Sequence, residues 1–430
     1  MKKLMLIGCA LMAGALMAEE AAPVAPVAAK PAETEVKAEA VKPGRRPPMH
    51  ARRPGGRRMP GMARGMMPGM ARGMRAKSFG KLSDGREAKI WRLQGYGGLV
   101  LDVTDYGGRL VRCYAPDKFG NLADVTLGWN TAAEYEKNGF SMGTLIGRFG
   151  NRIADGKFTL DGKEIQLTCN ETDKGRHCNL HGGPKGWDSR IWDAKPFRMG
   201  PVVGLKLTLV SEDGDQGFPG KVEMTVTYKV LPNNVWTIDY EAKTDKPTVI
   251  NPTHHSYWNM AGESSGNVLK QELQVFADEY TQTTTGLIPT KNVSVKGTGF
   301  DFTTLRPIGA QADWMAKEEA LKPMDNWYDH NFMLRGKAGE LHQAATMRDP
   351  VSGRKLEIWT TEPAMQMYGA QNMDGTLAGK AAGCKYPQFA GVALETQHCP
   401  DSPNHPEFPS TVLRPGETFK SHTEYRFSAE

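Results

Sequence analysis

Short segments in which apolar and polar side chains alternate recur through residues 78–430, and this period of two constrains the fold more than any other feature. One segment covers residues 223–230, and after a turn at 232–234 a second covers 235–240. Two others flank Asp161-Gly162, a pair typical of the two-residue turn between antiparallel strands. Successive side chains on a strand point to opposite faces, so each segment must bury one face against another layer. The pattern predicts an all-β fold, a large antiparallel sandwich.

Helical periodicity is scarce in the same region, and residues 311–317 are the best candidate for a short helical turn. Nothing in the pattern indicates an internal boundary. We therefore predict a single domain over residues 78–430, although length alone would suggest two, because large all-β folds often exceed the usual domain size.

The first 18 residues have the composition of an export signal. Lys2 and Lys3 precede an apolar run over residues 4–17, which is too short to cross a membrane as a helix and is followed at once by acids. We expect cleavage near Ala18 and a periplasmic or otherwise exported protein. The string Leu-Ile-Gly-Cys at 6–9 resembles a lipoprotein processing box, but the short apolar stretch before Cys9 ranks lipid anchoring second.

Residues 19–77 form a segment that we predict to be disordered. It is rich in Ala and Pro, then in Arg, Gly and Met, and lacks the apolar surface needed to offset the entropy of ordering. Residues 43–77 carry nine Arg, one Lys and no acid, whereas residues 1–42 are neutral. Of the total charge of +6, residues 78–430 therefore carry −4. Such a tail is either a solvated spacer or a weak electrostatic contact to anionic envelope material, with no specific nucleic-acid recognition.

Cysteine usage indicates neither a metal site nor a disulfide framework. Five cysteines follow Cys9, an odd number, and none forms a Cys-x-x-Cys pair. Free thiols are the default expectation. The alternative is one bridge between Cys169 and Cys178, which closes the shortest loop in an oxidising compartment.

Five short strings bring together most of the polar side chains that could do chemistry. They are Gly-Arg-Phe-Gly-Asn-Arg-Ile at 147–153, Asn-Leu-His-Gly-Gly at 179–183, Asn-Pro-Thr-His-His-Ser-Tyr-Trp-Asn at 251–259, Tyr-Asp-His-Asn-Phe at 328–332 and Leu-Glu-Thr-Gln at 394–397. Together they resemble the aldose 1-epimerase (galactose mutarotase) family. The resemblance covers residues 78–430 and implies a galactose mutarotase-like β-supersandwich with an open sugar cleft.

The reaction that the resemblance implies requires an acid and a base together. Opening a cyclic sugar removes a proton from the C1 hydroxyl, a very weak acid, and delivers one to the ring oxygen, a very weak base. Matching to the family assigns Glu395 as the base and His255 as the acid. Apolar neighbours of Glu395 are expected to raise its pKa by burial. His254 is adjacent to His255, and on a strand only one of the two can face the cleft.

The resemblance also implies a set of sugar-binding side chains. His181 would hydrogen-bond the sugar from a Gly-Gly loop, beside Asn151, and Arg152 would donate two forked bonds to sugar oxygens. The competing Arg148 is expected to be a structural salt-bridge partner. The remaining expectations are Asp329 on two vicinal hydroxyls (a turn-capping Asp being the alternative), Gln366 on the sugar, Tyr257 and Trp258 as aromatic surface, and His330 pointing away.

Several other chemistries find no support in the sequence. There is no P-loop, no dinucleotide glycine fingerprint and no His-Glu-x-x-His, and the histidines are scattered singly. We expect no cofactor and no metal, a free aldohexose such as galactose or glucose as substrate, and a monomer or dimer. Two alternatives remain: a hexose-phosphate mutarotase, and a non-catalytic sugar-binding module held in the envelope by its tail.

Overall fold

The computed structural model describes residues 74–173 and 175–430, with the side chains of residues 323 and 324 left out. The predicted signal peptide and nearly all of the basic tail lie outside the described residues. Among the residues described, no helix is both long enough and apolar enough to cross a membrane.

The chain folds mainly into short strands, with two short α-helices, α1 (Ala132–Asn138) and α2 (Ala312–Met315). The strands are, in order, β1 (Lys77–Lys81), β2 (Glu87–Gln94), β3 (Val100–Thr104), β4 (Leu110–Pro116), β5 (Leu122–Asp124), β6 (Leu145–Ile146), β7 (Arg152–Ala154), β8 (Lys157–Leu160), β9 (Lys163–Gln166), β10 (Cys178–Leu180), β11 (Asp193–Met199), β12 (Val202–Ser211), β13 (Val222–Leu231), β14 (Val235–Thr244), β15 (Thr248–Val249), β16 (Thr253–His254), β17 (Tyr257–Trp258), β18 (Glu272–Val275), β19 (Ala277–Thr283), β20 (Pro289–Ser294), β21 (Arg306–Pro307), β22 (Asp329–Leu334), β23 (His342–Arg348), β24 (Arg354–Thr360), β25 (Ala364–Tyr368), β26 (Val392–Gln397), β27 (Val412–Leu413) and β28 (Phe419–Ala429). Short 3₁₀ turns cover Trp187–Ser189, Asp215–Gly217, Ile308–Gln311, Glu319–Met324 and Ser402–Asn404.

Three antiparallel sheets form the body of the domain. The largest has nine strands in the order β11-β12-β13-β14-β28-β24-β23-β18-β21, the second has six in the order β17-β26-β25-β22-β19-β20, and the third is the five-stranded meander β1 to β5. Four two-stranded pairs, β7–β10, β6–β16, β8–β9 and β15–β27, connect them. The prediction of a single antiparallel all-β sandwich is confirmed.

The main core lies between the nine-stranded sheet and the other two. Alternate residues of β13, such as Val226 and Tyr228, are buried there together with Leu101 of the meander and Leu394 of β26. This alternation is the period of two read from the sequence, and it anchors β26, the strand that carries Glu395, against a packed layer.

Two local predictions, one from turn residues and one from periodicity, are confirmed. Asp161 and Gly162 adopt φ angles of 50° and 75° and join β8 to β9, and the 311–317 segment contains α2. Helix α1 was missed: it is seven residues long, too short for a helical period to stand out, although Thr131 caps it by accepting from the Glu134 amide.

Candidate active site

A pocket of about 300 Å³ opens where the six-stranded sheet meets the β7–β10 pair. Seven of the nine residues predicted from the sequence to act on or contact the sugar line it. They are Asn151, Arg152, His181, His255, Tyr257, Asp329 and Glu395. Six further lining residues were not predicted: Phe140, Ser141, Glu171, Arg176, Tyr368 and Asn372; Leu180 completes the wall.

The register of the six-stranded sheet sets one wall of the pocket. Glu395 on β26 pairs with Gln366 on β25, and Asp329 on β22 pairs with Tyr368 of β25. Tyr257 on β17 pairs with Ala393 of β26. Four neighbouring strands therefore carry these groups in two successive rows of one sheet face: Tyr257, Tyr368 and Asp329 in one, Gln366 and Glu395 two residues along in the other.

The β7–β10 pair sets the opposite wall through two residues in left-handed backbone conformation. Asn151 and His181 have φ angles of 63° and 56°, and the His181 amide donates to the Asn151 carbonyl at 3.0 Å. The Asn151 amide donates in return to Nδ1 of the His181 ring at 3.1 Å. Because Nδ1 is an acceptor, the hydrogen of the neutral ring is on Nε2, which makes His181 a donor toward a ligand.

His255 and Glu395 form an acid–base pair at the base of the pocket. Nε2 of His255 lies 3.5 Å from Oε1 of Glu395, and both side chains are buried. The second oxygen of Glu395, Oε2, is buried and accepts no hydrogen bond from any part of the chain that the structure describes. The His255 ring stacks on Tyr257 at 5.0 Å and meets the edge of His181 at 5.3 Å, which fixes its plane.

Burial shifts the proton affinities of this pair in opposite directions. It raises the pKa of Glu395 well above its usual value, an effect that Asp329 strengthens and Arg152 weakens, and it lowers the pKa of His255 to about 4. Attraction between an imidazolium and a carboxylate 3.5 Å apart acts against both shifts. Burial therefore favours the neutral form of each partner, and the attraction between them favours the ionised forms.

Because burial raises the pKa of Glu395, the carboxyl ionises less readily in the folded state than in the unfolded state, and this destabilises the folded state as pH rises. Glu395→Gln removes that effect. Below the unfolded-state value near 4.5 both states are protonated, so the wild type loses stability as pH rises from there through the folded-state pKa. We expect the Tm of the variant to match that of the wild type at about pH 4 and to exceed it increasingly toward about pH 8. Thermal unfolding of both proteins across this range measures the difference. A Tm deficit of the variant that grows with pH would show a carboxylate stabilised by pairing.

The backbone turns His254 and Trp258 away from the pocket. The His254 ring packs edge-on against Trp236 at 5.0 Å, with Nδ1 3.1 Å from Oγ of Ser256. Trp258 is fully buried in the main core, so the expectation that it offers surface to the sugar is wrong; Tyr257 alone faces the pocket. Residues 255 and 257 face one side and 254 and 258 the other, as strand alternation requires. His330 likewise packs on Phe300 at 4.4 Å.

His254 is the internal control for His255. Because its ring lies in the core and contacts no pocket residue except through the backbone, we expect His254→Asn to keep most of the activity while losing some stability to the removed packing. Initial rates at saturating sugar, normalised to folded protein, check this. Loss of turnover in His254→Asn with normal turnover in His255→Asn would reverse the assignment.

Arg152 presents only one of its two forked edges to the pocket. Its Nε and Nη2 donate to Glu171 at 2.6 and 3.1 Å, so that edge is occupied by a carboxylate. The other edge, formed by Nη1 and the second N–H of Nη2, remains, with Nη1 3.7 Å from Oδ2 of Asp329. That Arg152 donates two bonds to sugar oxygens stays a prediction, and this second edge is the one that could make them.

Gln366 stands behind Asp329 rather than in the pocket wall. Its side-chain amide donates to Oδ1 of Asp329 at 2.7 Å. Burial raises the pKa of Asp329, while Arg152 and this hydrogen bond lower it. Oδ1 is thus held from behind and Oδ2 faces the ligand. The geometry gives Gln366 a role in orienting Asp329, and direct sugar contact by Gln366 stays a prediction.

Arg148 is structural, but it is not a salt-bridge partner. Its buried guanidinium donates to the carbonyls of Pro219, Gly220, Ser211 and Glu212, all at 2.8 to 3.1 Å. It also donates to the hydroxyls of Thr248 and Ser211 at 3.2 and 2.8 Å. Sequence spacing cannot reveal such carbonyl and hydroxyl acceptors. The five cysteines among the described residues are free thiols, which confirms the default expectation over the alternative of a bridge between Cys169 and Cys178.

Although the histidines are scattered in the sequence, the fold brings two of them together with Glu395. His181, His255 and Glu395 each offer a ligand atom, and these atoms lie within 4.8 Å of one another. However, ligating histidines usually donate their second ring hydrogen to an acceptor, and here Nδ1 of His181 faces the Asn151 N–H. Metal ligation through Nε2 would break that bond, so the tautomer favours a sugar oxygen over a cation.

Comparison with known proteins agrees with this geometry. Residues 89–426 match the sequence model of the family described as aldose 1-epimerase. The aldose 1-epimerase of Escherichia coli K12 is 36% identical over 350 residues, covering 81% of this chain and 97% of that protein. The galactose mutarotase of Homo sapiens is 36% identical over 331 residues, covering 77% and 91%.

Solved structures share the fold. The crystal structure of a GalM/aldose epimerase homologue from C. elegans superposes with a TM-score of 0.70 at 29% identity, covering 80% of this chain and 99% of that chain. Galactose 1-epimerase from Lactobacillus acidophilus NCFM gives a TM-score of 0.69 at 24% identity, covering 83% and 99%.

Proposed function

The chain belongs to the aldose 1-epimerase family, and on that premise we propose that it interconverts the α and β anomers of free aldohexoses such as galactose or glucose. The observation that carries the proposal is the pair formed by His255 and Glu395, with one buried carboxylate oxygen free to accept a proton. The relatives named as mutarotases support the same activity.

In the proposed mechanism, ring opening begins with His255 protonated and Glu395 ionised. Glu395 takes the hydrogen of the C1 hydroxyl while His255 protonates the ring oxygen, so the C1–ring oxygen bond breaks and the open-chain aldehyde forms. The proton count of the pair is unchanged, because Glu395 has gained what His255 gave. The burial that raises the pKa of Glu395 and lowers that of His255 favours this second arrangement, which strengthens the base and the acid together.

Ring closure reverses the roles. After rotation about C1–C2 the opposite face of the aldehyde meets the hydroxyl, His255 takes its proton, and Glu395 returns one to the carbonyl oxygen. His181, fixed as an Nε2–H donor by the Asn151 amide, supplies a hydrogen bond to a sugar oxygen that needs no proton transfer. Asp329 and Nη1 of Arg152 hold hydroxyls away from the reacting centre.

The charges that line the pocket favour a neutral sugar over a hexose phosphate. Arg152 and Arg176 are the two cations in the wall, and both are paired with Glu171, while Asp329 and Glu395 add two further acids. A phosphate would meet no unpaired cation among these residues. A non-catalytic binding module is disfavoured because binding alone needs no buried acid–base pair.

Polarimetry tests the proposed activity. Freshly dissolved α-galactose and α-glucose should approach their equilibrium rotation at a rate proportional to protein concentration, and galactose 6-phosphate should be a much poorer substrate. Acceleration only with the phosphorylated sugar would favour the first alternative, and binding without acceleration the second.

We further propose that the protein acts after export, in the periplasm or anchored to its membrane, and that the basic segment is a tether or spacer. The sequence of residues 1–77 supports this, with ten positive charges and no acid over residues 43–77. Fractionation that finds full-length protein only in the cytoplasm would contradict export.

Removing residues 19–77 should leave kcat and Tm nearly unchanged. All residues of the pocket lie between Phe140 and Glu395, and the first strand begins at Lys77, so the segment supplies no described side chain to site or core. Retention on anionic vesicles should fall, and added salt should abolish the difference. Polarimetry and vesicle sedimentation of both forms measure this. A large loss of kcat on truncation would make the segment part of the catalytic unit.

A further inference from the structure

Glu171 is a charged residue of the pocket for which the reaction steps above have no use. It lies seven residues before Cys178 and meets that residue in an isolated antiparallel bridge at the start of β10. Its side chain is mostly buried. Burial raises its pKa, but hydrogen bonding and charge from Arg152, together with Cys178 and Arg176, hold that pKa below its usual value. Glu171 is therefore ionised at neutral pH.

Both oxygens of Glu171 are fully engaged by the protein. Oε2 accepts from Nε of Arg152 at 2.6 Å and from the thiol of Cys178 at 3.2 Å. Oε1 accepts from Nη2 of Arg152 at 3.1 Å and lies 3.1 Å from Nη1 of Arg176. With two donors on each oxygen, the carboxylate has little capacity left for a ligand. Its effect on a sugar must pass through another residue.

We propose that Glu171 is a positioning residue of the mutarotase reaction, which occupies the Nε/Nη2 edge of Arg152 so that the Nη1/Nη2 edge faces the sugar. The proposal rests on the proposed function. A guanidinium presents two forked donor edges, and a carboxylate can accept two bonds from either. With the first edge held by Glu171, the second is fixed in direction, and Nη1 lies 3.7 Å from Oδ2 of Asp329.

The short distance between Arg152 and Asp329 explains why the Arg152 guanidinium must be held in place. At 3.7 Å the two groups attract each other, and a small rotation would close them into a direct pair. That pair would consume the donor and the acceptor that the sugar hydroxyls use. Glu171 competes for the same guanidinium from the other side and is the better placed of the two, at 2.6 Å.

The test compares Glu171→Gln with the wild type as full-length proteins. Gln puts an amide donor opposite the donors of Arg152, Arg176 or Cys178, so the Nε/Nη2 edge is released and Arg152 turns to Asp329. We expect KM for galactose to rise about 10- to 100-fold, the cost of misplacing a binding group by about 1 Å. The kcat should fall far less, because Glu171 contacts neither His255 nor Glu395. Glu171→Asp keeps the charge and should recover part of the loss.

Glu272→Gln is the matched control. Oε2 of Glu272 accepts from Nε of Arg348 at 2.8 Å and lies 2.6 Å from its Nη2, so this is also a glutamate paired with the Nε/Nη2 edge of an arginine, outside the pocket. Glu272→Gln should leave KM unchanged, and its only expected effect is a lower Tm. A folded Glu171→Gln protein with normal KM, or Glu171→Gln behaving as Glu272→Gln does, overturns the proposal.

Arg152→Lys completes a double-mutant cycle. Lysine has no fork, so Glu171 has no forked edge to fix, and adding Glu171→Gln to Arg152→Lys should raise KM little further. Additive effects on KM would show that Glu171 acts independently of Arg152. If the wild type itself does not accelerate mutarotation, the proposed function fails; if it does and these variants disagree with expectation, only the role of Glu171 fails.

Discussion

Glu395→Gln and His255→Asn each lower kcat by roughly 10²–10⁴-fold, the usual contribution of one general acid or base. Gln cannot take the proton of the C1 hydroxyl, and Asn has no proton to give to the ring oxygen at neutral pH. The KM changes less, because Arg152, Asp329 and His181 still hold the sugar. Polarimetric initial rates over a range of sugar concentrations separate the two parameters.

The double variant should fall well short of the product of the two single losses. In the proposed mechanism His255 and Glu395, 3.5 Å apart, act on the same sugar at the same time, so once either is gone the other has no partner for a concerted transfer. Multiplicative losses would instead mean that the two residues serve separate steps. His254→Asn, whose ring lies in the core, is the control for changes at this backbone segment.

Arg152→Ala is expected to damage both stability and sugar binding. It leaves Glu171 with Arg176 and Cys178 alone, and Asp329 with Gln366 alone, so two buried carboxylates lose their shared cation. Removing one partner of a buried ion pair typically costs about 3–5 kcal/mol of unfolding free energy. The KM should rise together with this loss, because Nη1 is gone from the pocket. Urea unfolding and sugar titration of the rate measure the two effects.

Arg148→Ala separates the two effects of Arg152→Ala. Arg148 is equally buried and donates to backbone carbonyls near residues 211 and 219, outside the pocket. It should lose stability while the folded fraction keeps a nearly normal KM. A normal KM in Arg152→Ala, or an equal rise in both variants, would contradict a binding role for Arg152.

The alternation of apolar and polar residues predicted much of the fold and part of the site geometry. It assigns opposite faces to His254 and His255 without any structural knowledge. The same alternation was not applied to Tyr257 and Trp258, which is why both were expected to face the sugar, wrongly for Trp258. What it cannot give is register between distant strands: the level match of Glu395 with Gln366 depends on pairing β25 with β26. The motif resemblance, not periodicity, supplied the roles.

Glu171 shows why the rest was out of reach. It lies in a segment without regular alternation, 19 residues after Arg152, and belongs to none of the five strings. The forked pair forms because the β7–β10 pairing brings Arg152 opposite Leu180 and leaves the bridge at Glu171 alongside. Only the folded chain shows that the Nε/Nη2 edge of Arg152 is already paired with Glu171. The role of Arg148 was predicted wrongly for a similar reason, since its acceptors are backbone carbonyls and hydroxyls rather than a carboxylate.

The most direct measurement of the central claim is magnetisation exchange between the C1 protons of α- and β-galactose at equilibrium. It observes anomer interconversion itself, without net reaction or coupling enzymes. The exchange rate should rise in proportion to the concentration of wild-type protein, and an equal concentration of Glu395→Gln should leave it near the rate in buffer. Exchange no faster with the wild type than in buffer, or equally fast with both proteins, would contradict an anomer-interconverting site built on Glu395.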